Sequence, residues 1–585
     1  MKKLTQKIVS FIVLLILFSC ASENSKKEFN FTTLFETSEG KETASYKEVI
    51  SFYSNLAEAY TSVAIYTMGK TDSGEPLHLV TFNPNRTFDS EFSGNRDKNI
   101  LLINNGIHPG ESDGIDASML LMRDLADGKI KAPQNTIIAI IPIYNIGGSL
   151  NRNSTTRTNQ NGPVEYGFRG NARNYDLNRD FIKADTKNAR SFTEIFRTVK
   201  PDLFIDNHVS NGADYQYVLT HLFTQHSKLG HDLGNYLHTS LMPQLEDSLR
   251  LKKWDITPYV NVFNRTPESG FAQFFDSPRY STGYTSLYNT LGMMVETHML
   301  KPYKQRVEGT YELMKSFINI ADNEAEVINE LRKNALTHFK PGAIYPLSWK
   351  IDSTKTSKLS FKGFEGEMIP SAITNANRLK YDRSKPFTKE VIYYNYFEAV
   401  STVKIPLQYI IPQGYWHVID LLKMNKIKLD RIQKDTIITA EVYRIKNYET
   451  TQNPYEGHYL HYNTEVETTT EDVSLKKGDY IVDTNQEGVR YIIETLEPIA
   501  TDSFFNWNFF DTILRQKEGF SPYVWEDMAE EFLNNNPDIK AKFETKKLSD
   551  ANFANNWYAQ LDWIHKQSSH YEKAHLRYPI VRVGN

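Results

Sequence analysis

The chain predicts an α/β fold, a mixed and mostly parallel sheet flanked by helices, followed by a second, strand-rich C-terminal region. Three observations carry this. From about Tyr46 to Leu331 short apolar runs alternate with amphipathic stretches, the pattern of strands covered by helices on both faces. Beyond Phe339-Lys340-Pro341-Gly342 the pattern shifts to strand-like segments bounded by turns. The chain has 585 residues, 40% apolar and 24% charged, which excludes a disordered, collagenous or multi-span membrane protein and leaves room for roughly two to four domains.

Lys2, Lys3 and Lys7 precede an apolar run from Ile8 to Phe18, the charged and hydrophobic parts of an export signal too short to span a bilayer. The run ends Leu17-Phe18-Ser19-Cys20, which resembles a bacterial lipobox. We therefore expect residues 1–19 to be a lipoprotein signal peptide, Cys20 to carry the lipid, and 20–45 to be a tether. The protein is then exported and lipid-anchored in the cell envelope, on the periplasmic side or the cell surface. An ordinary signal peptide with an incidental cysteine is the alternative. Cys20 is the only cysteine, which excludes an internal disulfide framework and a Cys-rich zinc site.

Residues 46–335 form the expected α/β domain. Asn99-Ile100-Leu101-Leu102-Ile103 reads as a buried strand leading into Asn104-Asn105-Gly106 and the loop with His108. Ser112 and Asp113 can cap a helix running to Leu125, with Ile115, Met119, Met122 and Leu125 at helical spacing and Asp127-Gly128 as the stop. Further buried strands are expected at Thr136–Pro142, Asp202–Asp206 and Met293–Val295. Tyr144 to Asn178 is rich in Gly and Asn and reads as a long loop, a length usually tied to function. A closing helix is expected between about Thr310 and Asn334. Residues 340–585 form the C-terminal accessory region. Strands are expected at Thr436–Tyr443 and Asp479–Val482, with helices near Trp525–Leu533 and Trp557–His565.

Lys+Arg number 67 against 71 Asp+Glu, a formal charge of -4, so nothing global draws the chain to nucleic acid. The chemistry is local. His108-Pro109-Gly110-Glu111 places an imidazole and a carboxylate three residues apart between a strand and a helix, where open α/β sheets bind ligands. A catalytic zinc site takes three N or O ligands and an open position, commonly two near in sequence and one distant. His208, in Asp206-Asn207-His208 at a strand end, is the distant candidate. Each alone is weak, since a surface pair or a hydrogen-bonded structural histidine accounts for either. Glu296 ends another core strand, where a carboxylate needs a partner or a task. An ion pair with an arginine is the plain alternative.

His108-x-x-Glu111, Asp176-Leu177-Asn178-Arg179-Asp180-Phe181, His208 and Glu296, in this order over roughly residues 46–330, resemble the zinc carboxypeptidase family of the carboxypeptidase A type. The resemblance implies one zinc per chain held by His108, Glu111 and His208, with Glu296 as general base. It also implies that Asn178 and Arg179 grip the terminal carboxylate of a peptide, a role suited to the planar donor fork of arginine. The family places an oxyanion-stabilising arginine before the Asn-Arg pair. Arg157, Arg169 and Arg173 are available, and Arg169 is chosen because its offset of nine residues from Asn178 resembles cytosolic-type members. For the substrate-capping tyrosine, Tyr280 and Tyr284 compete; Tyr284 is chosen because Gly283 offers a hinge.

The expected function is hydrolysis of the C-terminal peptide bond of peptides with a free carboxylate. A zinc amidase or deacylase acting on peptidoglycan stem peptides or acylated amino acids is an alternative, as is a non-catalytic binding lipoprotein. His221, His226, His231 and His238 do not share one helical face, so a second metal site among them is not expected. Tyr455-Glu456-Gly457-His458 and Trp507 to Asp511 read as a ligand surface or, more commonly for aromatic clusters, as core.

Overall fold

The apolar runs assemble into the middle of one sheet. The computed structural model describes residues 29–84 and 98–584. Its central strands are β1 (Val63–Lys70), β2 (Pro76–Phe82), β3 (Asn99–Asn104), β4 (Thr136–Ile141), β5 (Leu203–Ser210), β6 (Leu219–Phe223) and β7 (Ile256–Pro258), then, after a two-residue β8 (Phe271–Ala272) outside the sheet, β9 (Leu291–His298). The order is β1-β2-β4-β3-β5-β9-β6-β7. The pairs β4–β3, β3–β5 and β5–β9 are parallel, whereas β2–β4 and β9–β6 are antiparallel. Every residue of β3, β4 and β5 is buried, which is why these strands read as unbroken apolar runs instead of alternating ones.

The helix Asp113–Ala126 follows β3 and stops at Gly128, whose φ of 79° suits glycine. The expected closing helix is two helices, Tyr303–Asn323 and Ala325–Ala335, interrupted at Glu324. Between Tyr144 and Asn178 the chain is irregular apart from two short turns, Ile146–Leu150 and the start of Leu177–Arg179. The parallel order has one consequence for chemistry. The C-terminal ends of β3, β5 and β9 lie side by side, so the residues that follow or end them meet at one edge.

The tether expected over residues 20–45 is packed from residue 29 onward. A capping box between Thr33 and Glu36 starts the helix Leu34–Thr37, and another between Ser45 and Glu48 starts Tyr46–Ala59. Phe35 is buried with its ring edge against Tyr303, and Glu36 pairs with Arg123 at 2.7 Å. The local capping and the buried aromatic outweigh the polar composition that suggested a linker. The signal peptide and Cys20 lie outside the described residues. No helix among the described residues is long and apolar enough to cross a membrane.

Past residue 340 the sheets are antiparallel. Strands β10 (Ile344–Ile351), β11 (Ser357–Pro370), β12 (Asn377–Tyr394) and β13 (Phe397–Lys404) form two antiparallel pairs, the hairpin β11–β12 and, on either side of it in the chain, β10 with β13. A six-stranded sheet gathers β14 (Gln408–Ile411), β15 (Asp430–Arg431), β16 (Thr436–Thr450), β17 (His461–Leu475), β18 (Tyr480–Asp483) and β19 (Arg577–Val583). Helices Pro522–Asn535 and Trp557–Gln567 stand where expected, with Pro537–Ser549 between them. The boundary near residue 340 divides neither the cores nor every sheet. Tyr284 and Tyr288 pack against Tyr491, and β8 pairs with β12.

Phe35→Ala tests the packing of the N-terminal segment. Removing a buried phenylalanine destabilises by about 3 kcal/mol, so the melting temperature should fall clearly. An unchanged melting temperature would show that residues 29–45 hang free.

Candidate active site

The edge formed by β3, β5 and β9 opens into a cleft of about 400 Å³. After β3, Gly106 turns the chain at φ 66°, and a tight turn with Glu111 N donating to His108 O (2.8 Å) sets His108 and Glu111 on one side. Gly110 between them is required by close approach. A Cβ there would lie 2.3 Å from Arg157 Nε and 2.9 Å from Gly167 O. His208 is delivered by β5, whose register with β9 makes it the direct neighbour of Glu296. Thus strand pairing alone sets a candidate ligand beside a candidate base.

Glu111 stands between the two imidazoles. Its Oε1 lies 3.0 Å from His108 Nδ1 and its Oε2 3.0 Å from His208 Nδ1. One ligand atom from each of these three residues falls within 4.8 Å of the others, and they are the only such group of three among the described residues. Both Nε2 atoms point away, to carboxylates: His108 Nε2 lies 2.9 Å from Asp176 Oδ1, and His208 Nε2 lies 3.0 Å from Asp206 Oδ2. Outer carboxylates of this kind orient metal-binding imidazoles and fix their tautomer. Two imidazoles and a carboxylate with open cleft in front form the donor set of a catalytic zinc site, so the residues present fit that ion.

The electrostatics follow from burial and neighbours. Burial would raise the Glu111 carboxyl, but His108 and Arg157 outweigh it and hold the group well below its ordinary value. Arg157 NH2 donates to Glu111 Oε1 at 2.7 Å, and Val209 N donates to Oε2 at 3.0 Å. Asp176 is likewise held far down, with burial overcome by His108, Arg169 and Arg179. Glu296 goes the other way. Burial pushes its carboxyl up to about 8, the nearby Glu111 and Asp206 charges add to this, and His208 opposes it. Arg169 is also near enough to oppose the rise; the ion pair offered as the plain account of Glu296 does not occur among the described residues.

Asp176 is the hub of the substrate side. It caps the single turn Leu177–Arg179 by accepting Asn178 N at 2.9 Å, and its Oδ2 accepts from Arg169 Nε (3.1 Å) and NH2 (2.8 Å). Arg169 NH1 reaches on to within 3.4 Å of His108 Nδ1. Arg157 also lines the cleft but is spent on Glu111 and Gln160. Arg173 is not in the cleft; it stacks on Tyr175 and donates to Asp185 O. Asn178 and Arg179 both line the cleft. Asn178 Oδ1 accepts Ser281 N at 3.3 Å, Arg179 NH1 donates to Asn178 O at 2.8 Å, and the guanidinium lies 4.6 Å from the Tyr280 ring centroid.

Tyr284 is a correction. It is wholly buried, its hydroxyl donates to Asn425 Oδ1 at 2.6 Å, and its ring packs on Phe181 and Phe196. Tyr280 is the tyrosine in the cleft, edge-on to Phe274. The reason is helical: Tyr280 precedes the helix Ser281–Thr285, and Tyr284 lies within it on the core side. Gly283 is no hinge, since a Cβ there would lie 2.0 Å from Ser277 O. The residue type answers packing. Sequence reasoning also gave no role to Asp176 or Asp206, although both stand within two residues of a singled-out Asn or His, nor to Tyr259, which lines the cleft near Glu296. The four scanned histidines split up. His221 meets Glu246, His226 stacks on His238, and His231 stacks on His338.

Fold and site together define a His–Glu–His cleft at the C-terminal edge of a mixed sheet, with a carboxylate and an Asn-Arg pair facing it. The zinc carboxypeptidase family model matches residues 49–203, a span that includes His108, Glu111, Asn178 and Arg179 and ends before His208. Carboxypeptidase 2 of Trichophyton rubrum is 22% identical over 429 residues, 69% of this chain and 72% of that protein. Carboxypeptidase 2 of Trichophyton tonsurans is 22% identical over 430 residues, with the same coverage. Among solved structures, carboxypeptidase A of Helicoverpa armigera aligns with a TM-score of 0.38 at 14% identity, covering 55% of this chain and 82% of that one.

The raised Glu296 carboxyl makes a pH prediction for metal-stripped protein. In the unfolded chain the group ionises near 4.3, in the folded chain near 8. Between these values the unfolded state binds fewer protons, so stability falls as pH rises through that window. Glu296→Gln removes the penalty. Stripped variant and stripped wild type should unfold alike in denaturant at pH 4, with the variant gaining a growing advantage up to about pH 8. A difference independent of pH would contradict the raised value. Tyr284→Phe should lower stability by about 1 kcal/mol and leave kcat/KM unchanged, whereas Tyr280→Phe should alter kcat/KM.

Proposed function

We propose that the protein is a zinc-dependent exopeptidase that removes C-terminal residues from peptides. The observation that carries the reading is the convergence of His108, Glu111 and His208 within 4.8 Å, beside a Glu296 placed by the neighbouring strand. The family match and the carboxypeptidase relatives support a metallocarboxypeptidase class of hydrolase.

His108, Glu111 and His208 would hold the zinc. When bound, that ion supplies Lewis acidity that polarises the scissile carbonyl and lowers the pKa of water toward neutrality. Glu296 takes the proton of the attacking water and later gives it to the departing amine. A cation beside it lowers the carboxyl from its raised value, so the base is ionised at neutral pH. Arg169, anchored by Asp176, stands as the donor to the developing oxyanion. Arg179 and Asn178 bind the terminal carboxylate, which makes the reaction exopeptidic because an internal peptide lacks that charge.

The side chain of the released residue meets an apolar wall. Met294 shares a strand face with Glu296 two residues on, Leu222 is its partner across β6, and Phe274 completes the wall beside Tyr280. Apolar and aromatic C-terminal residues are therefore the preferred class. We further propose that Cys20 anchors the mature chain by lipid in the cell envelope; mass spectrometry of the mature N-terminus tests this.

His208→Ala should lose zinc, measured by metal analysis, because three-ligand sites rarely survive on two. Glu296→Gln should keep about one zinc per chain while kcat drops roughly a hundredfold to ten-thousandfold. Normal turnover by that variant would remove Glu296 from the reaction. A peptide-library digest read by mass spectrometry should show loss of single C-terminal residues, apolar ones fastest. Cleavage of muropeptides but not of free peptides would instead identify an amidase.

A further inference from the structure

The C-terminal region reaches into the carboxylate-binding half of the cleft by two routes. The first is the turn Tyr455-Glu456-Gly457-His458, closed by Tyr455 N donating to His458 O at 2.7 Å and His458 N to Tyr455 O at 3.1 Å. Glu456 Oε2 accepts the backbone N–H of Asp176 at 2.9 Å, at the head of the turn that carries Asn178 and Arg179. Two features show that this contact is built. Glu456 adopts φ 49°, a left-handed conformation that a non-glycine residue enters only when its surroundings demand it. Next to it Gly457, at φ 81°, lets the backbone come so close to Tyr175 that a Cβ would lie 2.6 Å from the phenol oxygen. His458 Nε2 then meets Asp185 Oδ2 at 2.7 Å, and the buried Lys183 ties Asp185 to Asp180 at 2.7 Å each.

The second route is Asp502, wholly buried, which accepts both Arg279 N (2.9 Å) and Arg279 Nε (2.8 Å). Arg279 lies against the stacked rings of Trp507 and Tyr455, at 5.0 Å and 5.5 Å from their centroids. Its carbonyl accepts Phe181 N, and the residues after it, Tyr280 and Ser281, touch Arg179 and Asn178. Both segments that face a substrate carboxylate are thus held from behind by residues 455–507.

We infer that Glu456 is a positioning residue for the Asp176–Arg179 turn and that the C-terminal region is an integral part of the carboxylate-binding site. This rests on the reading above that Asn178 and Arg179 bind the terminal carboxylate. Without an acceptor at Glu456 Oε2 the Asp176 N–H loses its partner and the turn its tether. Asp176 keeps its side-chain contacts to His108 and Arg169, so zinc binding survives while substrate capture weakens.

The test uses the full chain and an apolar tripeptide, as the free acid and as its C-terminal amide. Wild type should strongly prefer the acid; indifference to amidation overturns the carboxylate-binding reading and this inference with it. Given that preference, Glu456→Ala should raise KM for the acid roughly tenfold, keep kcat within about threefold, shrink the acid-to-amide preference and retain zinc. Glu456→Gln keeps an acceptor of the same reach and should restore most of the KM. Glu456→Asp keeps the charge but not the reach and should behave like alanine, which preserves the test if the alanine variant folds poorly. Wild-type KM and preference in Glu456→Ala or Glu456→Asp, or a glutamine variant no better than alanine, overturns the inference while leaving the carboxylate reading in place.

Discussion

The site depends on one buried carboxylate. Glu111 lies almost wholly inside the protein, where an unpaired charge is strongly unfavourable. It is accommodated because two imidazoles, one guanidinium and one backbone N–H converge on its two oxygens. Those groups come from three separate parts of the chain: the loop after β3, the end of β5, which supplies both His208 and the Val209 N–H, and the long glycine-rich loop. The arrangement therefore requires the parallel order of the sheet, the glycine at position 110 and the path of residues 144–178 all at once.

Around that carboxylate the protein sets a second tier of acids. Asp176 and Asp206 stand behind the two histidines, and each also holds a different structural element. Asp206 accepts from Asn104 on β3 and from Ser281 at the start of a helix, whereas Asp176 caps the Leu177–Arg179 turn and anchors Arg169. Orientation of the candidate ligands and orientation of the candidate substrate-binding groups are thus coupled through shared oxygens. Glu296 is the exception among these acids: near Arg169 but in no ion pair among the described residues, and raised by burial. In the proposed reading, that contrast between neighbouring carboxylates separates the ligand, Glu111, from the base, Glu296.

Much of this was legible in the sequence wherever chain connectivity dictates geometry. Buried parallel strands announce themselves as unbroken apolar runs, and what ends such a strand lands at the sheet edge, which is why His108, Glu111, His208 and Glu296 are legible in the sequence. The structure brings these four together. What depends on the direction of a single helical turn did not show. Tyr280 stands just before a short helix and Tyr284 lies within it on the core side, and Gly283 looks like a hinge although it answers a backbone contact. The packed segment from residue 29 is hard to see in the sequence because Thr33, Glu36 and Ser45, which read as linker residues, act as helix caps. The Tyr455–His458 turn was noticed as aromatic, but its bond to a residue 280 positions earlier has no local signature.

His108, Glu111 and His208 are proposed to ligate one zinc ion. X-ray absorption at the zinc edge on the loaded protein measures this most directly. Two imidazole nitrogens and a carboxylate oxygen at about 2.0–2.2 Å are predicted, with the zinc signal lost in His208→Ala. A protein that binds no zinc, or a coordination shell unchanged by that substitution, would contradict the account.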